Sequence, residues 1–172
     1  MTMRQVFYSF HYRKDNWRAS QVRNIGVVKG NSPAIDNDWE AIKEGGESSI
    51  KRWIDSQMQN RSCTVVLIGS QTANRDWINY EICQSWIMKM GLVGIYVHGL
   101  EDKNGEVATK GHNPFDYLVY KGIKLSAIFR CYDPPGKDSN EKFRWIQTNL
   151  SAIIEESITI RSSYHIEAQE SS

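Results

Sequence analysis

The sequence has few cysteines and no pattern that would use them together. Cys63, Cys83 and Cys131 are the three cysteines of a 172-residue chain, they stand far apart, and no C-x-x-C occurs. An odd number of widely spaced cysteines argues against a disulfide framework and against a zinc site. Because each cysteine lies within an apolar run, we expect three buried, inert thiols.

Long apolar runs and an excess of one charge are also missing. The longest runs, such as LVGIYV at 92–97, are far too short to cross a bilayer. The first strand-like run starts a few residues after Met1, which leaves no room for a signal peptide. The formal net charge is +1, with no basic stripe. We therefore expect a cytoplasmic protein that binds neither a membrane nor nucleic acid.

The motifs of several common α/β enzymes are absent as well. The chain contains no G-x-G-x-x-G, no G-x-x-x-x-G-K-[ST] and no G-x-S-x-G. The acids that a phospho-accepting receiver domain needs after its first strand are replaced by Ser9-Phe10-His11. The four histidines have no metal-ligand spacing, so we predict no metal site. His11 is the histidine of most interest, because it directly follows the first predicted strand.

Apolar runs that alternate with amphipathic segments predict an α/β domain with a mainly parallel central sheet. We predict a first helix over 16–25, with Trp17 and Val22 inward, and a long irregular segment over 100–125. The domain is expected to span 1–156, followed by a polar, frayed tail over 157–172. Ligands of such folds bind at the C-terminal ends of the strands. The predicted strands are QVFYSF (5–10), CTVVLIG (63–69), LVGIYVHG (92–99) and SAIFRCYD (126–133).

A predicted helix over 70–90, SQTANRDWINYEICQSWIMKM, is apolar on most faces and carries an acid in its middle. Glu81 is the only charged residue between Asp76 and Lys89. A helix of this kind is expected to be largely buried, which places Glu81 at the edge of the core. A poorly solvated carboxylate that faces a cleft is a functional candidate. The alternative is a glutamate that reaches solvent or pairs with an arginine for structural reasons.

A single carboxylate limits the reactions that such a site could catalyse. Most glycosidases need two carboxyl groups, one of which protonates a poor leaving group. An N-glycosidic bond to a cationic pyridinium, as in NAD, already has a good leaving group. One carboxylate can then stabilise the oxocarbenium-like ribose, while a dry aromatic pocket holds the bases. Aromatic residues near the expected rim are Phe10, Trp39, Trp77 and Tyr80, although such residues also serve as core.

The same residues resemble a known family. VFYSF at 6–10 and S-x6-W-I-N-Y-E from Ser70 to Glu81 resemble the TIR domain, whose W-x-x-x-E motif carries a catalytic glutamate. VLIGSQTANRDWINYEI and KGHNPFDYLVY (110–120) resemble the TIR-like proteins of the Thoeris antiphage defence system, the ThsB family. The resemblance implies a flavodoxin-like three-layer α/β domain. The usual loop that gates the site and assembles filaments is not recognisable between residues 25 and 45.

The resemblance also implies an activity. Such proteins respond to phage infection, use NAD as a substrate rather than a cofactor, and release nicotinamide and a cyclic ADP-ribose isomer. That diffusible signal activates a separate effector protein; a homo-oligomer and a phage-derived trigger are further expectations. The implied catalytic residue is Glu81, and the implied NAD-site residues are Ser9, Phe10, His11, Asp36, Trp39 and Trp77.

Two alternatives stay open on the residues alone. The chain could be a non-catalytic TIR-like adaptor that acts only through protein–protein contacts. It could also hydrolyse another nucleoside or nucleotide in the same pocket. The segment 100–125 is either a surface for a partner or a phage signal, or a structural insert.

Overall fold

The computed structural model describes residues 3–31 and 44–170, with side chains up to Tyr164. The helices of this part are α1 (Tyr12–Arg23), α2 (Glu47–Met58), α3 (Asp76–Ile87) and α4 (Ser139–Glu170), with short 3-10 helices at Pro114–Tyr117 and Leu125–Ala127. The strands are β1 (Arg4–Ser9), β2 (Val28–Lys29), β3 (Cys63–Ile68), β4 (Gly91–Tyr96), β5 (Val119–Tyr120), β6 (Ile123–Lys124) and β7 (Cys131–Tyr132).

Five of these strands form one parallel sheet in the order β2-β1-β3-β4-β7. Every residue of β3 and β4 is buried, which explains why both strands are continuous apolar runs. The strand order matches that of flavodoxin-like folds, in which the winding reverses between the first and third strands. The predicted flavodoxin-like α/β fold with a mainly parallel sheet is confirmed.

Helices cover both faces of the sheet and make it the middle of three layers. Tyr8 packs in a cluster with side chains of α1 and α4, whereas Phe7 packs with side chains of α2. Successive strand residues point to opposite faces. Ser9 therefore points to the same face as Phe7, which is the face covered by α2 and α3.

The first helix differs from the prediction. It begins at Tyr12 instead of residue 16, because His11 caps it: the His11 Nδ1 accepts a hydrogen bond from the Lys14 backbone N–H at 3.3 Å. Val22 is buried as predicted, but Trp17 is 53% exposed, so its predicted inward position was wrong. The face that α1 buries includes a charged pair and consists of Asp15, Arg18, Ala19 and Val22.

The helix α3 is shorter and less enclosed than the sequence predicts. Cys83 is exposed and Ile87 is 67% exposed, because only one side of α3 packs on the sheet. The prediction of a helix buried on most faces was therefore wrong in part. The prediction of three buried thiols holds for Cys63 and fails for Cys83, and Cys131 is half-buried.

The C-terminal part also differs. Only Cys131–Tyr132 of the last predicted strand pairs with β4, and residues 125–127 form a 3-10 turn. The last helix continues through Glu170, so the frayed tail predicted from residue 157 is helical in the part that the structure describes. Arg161 explains the continuation, because its guanidinium lies 4.1 Å from the ring centre of Trp86 and donates to the Trp86 carbonyl oxygen at 2.9 Å.

Candidate active site

The candidate site lies where the sheet reverses its winding, at the C-terminal ends of β1 and β3. From β1 the chain turns to β2 on one side and later returns to β3 on the other, so the loops after β1 and β3 separate here. Ser9 is the last residue of β1 and pairs in register with Val66 of β3. The sequence predicted this rim from the segments after these two strands.

A pair of buried hydroxyls shows how α3 lies over this end of the sheet. The Ser85 Oγ is 2.6 Å from the Thr64 Oγ1, and Thr64 pairs in register with Phe7. One helical turn and two strand residues both span about 6 Å. Glu81, four residues before Ser85, therefore lies over Ser9, two residues after Phe7. The structure brings together the predicted catalytic glutamate and the serine of the first strand.

The environment of Glu81 disfavours its negative charge. Burial raises the pKa of Glu81 to about 8, and the Ser9 hydroxyl opposes this by lowering it. Among the described residues, no other acid contributes to this pKa. Part of the Glu81 side chain nevertheless remains accessible, since the residue is half-buried. Glu81 is thus a lone carboxyl group, poorly solvated but within reach of a ligand.

Ser9 has an unmatched polar atom at the same place. Its Oγ is fully buried and makes no hydrogen bond of standard geometry within the described part of the chain. It lies close enough to Glu81 to lower the pKa of that carboxyl group. Buried hydroxyls nearly always have a hydrogen-bond partner. A ligand hydroxyl placed beside Ser9 and Glu81 would satisfy both groups.

Trp77 lies one helical turn before Glu81 and borders a surface groove of about 590 Å³ between α2 and α3. The groove is lined by both apolar and charged side chains, among them Ile50, Lys51 and Asp76. The rings of Trp77 and Tyr80 meet edge to face with centroids 5.9 Å apart. This volume suits a small molecule. Glu81 does not line the groove, whereas Trp77, one helical turn before it in α3, does.

The other predicted site residues have different environments. Phe10 packs against the cluster under α1 and α4, on the opposite face from Ser9, and its ring stacks on Tyr12 at 6.4 Å. His11 lies at the rim as the cap of α1, where burial and then Arg75, the residue before α3, lower its pKa. The predicted residues Asp36 and Trp39 lie outside the described residues.

The segment 110–120, for which the sequence allows either a surface for a partner or a phage signal, or a structural insert, reaches the same rim. A Cβ on Gly111 would lie 2.3 Å from the Gly69 carbonyl oxygen, so the two backbones touch. The Lys110 Nζ lies 4.4 Å from the ring centre of Tyr96 and 3.0 Å from Asp133 Oδ2. The segment KGHNPFDYLVY therefore packs on the turn after β3 and on the end of β4. Gly111 is evident in the sequence, but only the folded chain shows what it touches.

Among the described residues, no group of three or more histidine, cysteine, aspartate or glutamate side chains could hold a metal ion. None of the helices that the structure describes is long and apolar enough to cross a membrane. The chemical groups present at the reversal point are a carboxyl group and a hydroxyl group, with an aromatic ring one turn away.

The part of the chain that carries Ser9, Trp77 and Glu81 matches a known family. The family model described as "Thoeris protein ThsB, TIR-like domain" matches residues 7–102, which run from β1 past the end of β4 and include Ser9, Trp77 and Glu81. The chain belongs to the ThsB family. The resemblance drawn from the sequence motifs is thereby confirmed, and the fold of this ThsB-family chain has the strand order described above.

A relative from Bacillus cereus (strain MSX-D12) carries the name "Putative cyclic ADP-D-ribose synthase ThsB1". It is 42% identical to this chain over 123 residues. The matched stretch covers 69% of this ThsB-family chain and 64% of the relative. The chain therefore spans somewhat less than two thirds of the relative's length.

Proposed function

We propose that this ThsB-family protein cleaves NAD at the bond between nicotinamide and ribose and closes the remaining ADP-ribose into a cyclic product. The observation that carries the proposal is Glu81, a half-buried carboxyl group that burial makes reluctant to ionise, beside a buried serine hydroxyl. The name of the Bacillus cereus relative, a cyclic ADP-D-ribose synthase, agrees with this activity.

The positive charge of NAD suits a carboxyl group in this state. A cation placed beside a carboxyl group favours the ionised form and lowers its pKa. The pyridinium of bound NAD would therefore help Glu81 to lose its proton. As the glycosidic bond breaks, positive charge moves from the pyridinium to the ribose, and the carboxylate stabilises it there. Nicotinamide leaves as a neutral molecule, so no acid is needed to protonate the leaving group.

The surrounding groups would orient the substrate. The unmatched Ser9 hydroxyl would bond a ribose hydroxyl held by Glu81, and the aromatic ring of Trp77, one turn away, would contact the substrate. His11 at the rim, with Phe10, Asp36 and Trp39, is proposed to complete the NAD site. Cyclisation further requires that a nucleophile of the same ADP-ribose reach the ribose cation before water does.

The wider role follows from the family. We infer that the cyclic product is a diffusible signal that activates a separate effector protein during phage infection, within the cytoplasm. A phage-derived trigger and a homo-oligomeric active form belong to the same proposal. NAD enters this scheme as the substrate, and no cofactor is invoked.

The test is product identification in phage-infected cells that carry this chain but not its effector. Extracts are analysed by mass spectrometry for NAD, nicotinamide and ADP-ribose derivatives. The unmodified protein is expected to consume NAD and accumulate a cyclic ADP-ribose isomer, and Glu81→Gln is expected to accumulate none. Glu155→Gln serves as the matched control, since Glu155 is an exposed acid paired with Arg4.

Other outcomes would point elsewhere. Linear ADP-ribose as the sole product would support the proposed NAD cleavage and contradict the proposed cyclisation. Equal product from Glu81→Gln would remove Glu81 from the chemistry. In cells that also carry the effector, full antiphage protection by Glu81→Gln without any product would favour the adaptor function.

A further inference from the structure

Two buried hydroxyl groups connect the backbone of Glu81 to the central strand β3. The Ser85 Oγ is 2.6 Å from the Glu81 carbonyl oxygen and 2.6 Å from the Thr64 Oγ1. The side chains of Ser85 and Thr64 are both fully buried. These contacts join α3 to the strand at the residue that pairs with Phe7 of β1.

The direction of the hydrogen bonds follows from the groups involved. A carbonyl oxygen only accepts, so Ser85 donates its hydroxyl proton to the Glu81 carbonyl. A serine hydroxyl has one proton, so Thr64 must donate to the Ser85 Oγ. The result is a relay from Thr64 through Ser85 to Glu81, in which each bond polarises the next.

We infer that Thr64 and Ser85 are positioning residues, whose hydrogen-bond relay fixes Glu81 beside Ser9 for the NAD cleavage proposed above. The inference rests on that proposed function. The other buried residues of α3, Ile78 and Ile82, are apolar and have no preferred hydrogen-bond direction. Tyr80 and Trp86 of α3 bond to residues of other helices, whereas Ser85 bonds to the central strand at Thr64.

The Ser85 side chain has a local cost as well as a contact with the strand. A serine that bonds to the carbonyl four residues earlier slightly weakens and bends a helix. Here the same serine also accepts from a strand residue, so the local cost comes with a contact between the two layers. A buried alanine at this position would give a better helix but no directional link between Glu81 and β3.

The opposite face of the sheet offers a matched control. Ser157 of α4 donates to the Ile154 carbonyl oxygen at 2.7 Å, and its Oγ is 3.1 Å from the Sγ of Cys63. Both residues are buried, and Cys63 directly precedes Thr64. Like Ser85, Ser157 is a helical serine whose hydroxyl contacts a residue of β3. Its hydrogen bonds do not involve Glu81.

The experiment compares Ser85→Ala, Thr64→Val, Thr64→Ser and Ser157→Ala in the full chain. Steady-state nicotinamide release from NAD gives kcat and KM, thermal unfolding gives Tm, and 13C NMR of labelled glutamate carboxyl groups gives the titration of Glu81. Ser85→Ala and Thr64→Val are expected to lower kcat by roughly ten- to a hundredfold, because a small misplacement of a catalytic group has effects of that size. KM is expected to change by less than about threefold, since the loss is in the bond-breaking step.

The controls separate positioning from stability. Thr64→Ser keeps the donor hydroxyl and is expected to keep kcat within about threefold of the unmodified protein. Ser157→Ala is expected to lower Tm by about 2–4 °C, as Ser85→Ala does, with kcat unchanged. In Ser85→Ala the Glu81 titration is expected to move toward its ordinary value, because a less restrained side chain gains solvent. In Ser157→Ala it stays in place.

The inference is overturned if Ser85→Ala and Ser157→Ala have the same kcat and the same Glu81 titration. If Ser85→Ala does not fold, Thr64→Val, which keeps the Ser85 bond to Glu81, decides in its place. If the unmodified protein, recovered from phage-infected cells, releases no nicotinamide, the proposed function fails. The relay is then judged by the Glu81 titration alone, which needs no substrate.

Discussion

Replacing Glu81 by glutamine is expected to make the protein more stable at alkaline pH while it removes the proposed activity. Burial raises the pKa of Glu81 from an ordinary value of 4.5 to about 8 in the folded chain. Between these values the folded protein holds a proton that the unfolded chain has released. The free energy of unfolding therefore falls as pH rises from about 4.5 to about 8, and this loss is complete above the folded pKa.

The size of the effect follows from the same two values. At about 1.4 kcal/mol for each tenfold change in proton affinity, the upper limit is about 5 kcal/mol above pH 8. Glu81 is only half-buried, and water that enters the site weakens the effect. We therefore expect the free energy of unfolding of Glu81→Gln to be about 2 kcal/mol higher than that of the unmodified protein at pH 9. In a domain of this size that corresponds to about 4–8 °C in Tm.

Urea unfolding at pH 5, 7 and 9 measures the difference directly. Glutamine does not titrate, so the gap between the two proteins should widen with pH and become constant above the folded pKa. The control is Glu155→Gln. A hydrogen bond from Arg4 lowers the pKa of Glu155, so its contribution to stability is lost only as pH falls through that lowered pKa. The difference in free energy of unfolding between Glu155→Gln and the unmodified protein should therefore stay constant between pH 5 and 9.

A gap that does not widen with pH would refute this reasoning. So would a Glu81→Gln protein that is less stable than the unmodified chain at pH 9. Either result would mean that Glu81 is well solvated or well paired in the folded protein, and that it lacks the poor solvation on which its proposed role depends.

Three further substitutions test other contacts. Ser9→Ala removes the hydroxyl that lowers the pKa of the Glu81 carboxyl group, so the pH profile of the proposed NAD cleavage should shift to higher pH; an unchanged profile would contradict the contact. Gly111→Ala would place a Cβ 2.3 Å from the Gly69 carbonyl oxygen and should cost about 1–3 kcal/mol in urea unfolding, whereas Gly26→Ala, which meets nothing within 4 Å, should not. His11→Ala removes the cap of α1 and should cost about 1 kcal/mol, and His11→Asn should recover most of it.

The parts of the fold that the sequence predicts well are those in which one local pattern decides. The strands β3 and β4 are continuous apolar runs because both faces are covered, and their runs alone predict a parallel sheet. Local patterns also assign Ser9 to the end of the first strand and Glu81 to the helix after the third strand. Tertiary contacts then place them together.

The predictions that failed depend on contacts between distant residues. Arg18 donates to the carbonyl oxygens of Leu100 at 2.7 Å and Glu106 at 2.9 Å. These bonds make a charged side chain part of the buried face of α1 and turn Trp17 toward solvent. Likewise, Arg161 keeps the end of α4 packed through its hydrogen bond to Trp86. These two residues lie 75 positions apart in sequence. No local pattern contains these pairings.

The site shows the same division. A lone acid in an apolar helix is visible in the sequence, and its spacing from Trp77 points to a family. The role inferred for Ser85 is not visible in this way, because a serine in a helix is uninformative until its hydroxyl is found on Thr64. The contact of Gly111 with the turn after β3 is equally non-local.

The central claim, that Glu81 serves NAD cleavage, is tested most directly by the rate of nicotinamide release from NAD. The protein is recovered from phage-infected cells in three forms: unmodified, Glu81→Gln and Glu155→Gln. We expect Glu81→Gln to release nicotinamide at least about a hundredfold more slowly, because it lacks the group that stabilises the ribose cation. Glu155→Gln should match the unmodified rate. Nicotinamide release by Glu81→Gln within about threefold of the unmodified rate would contradict the claim.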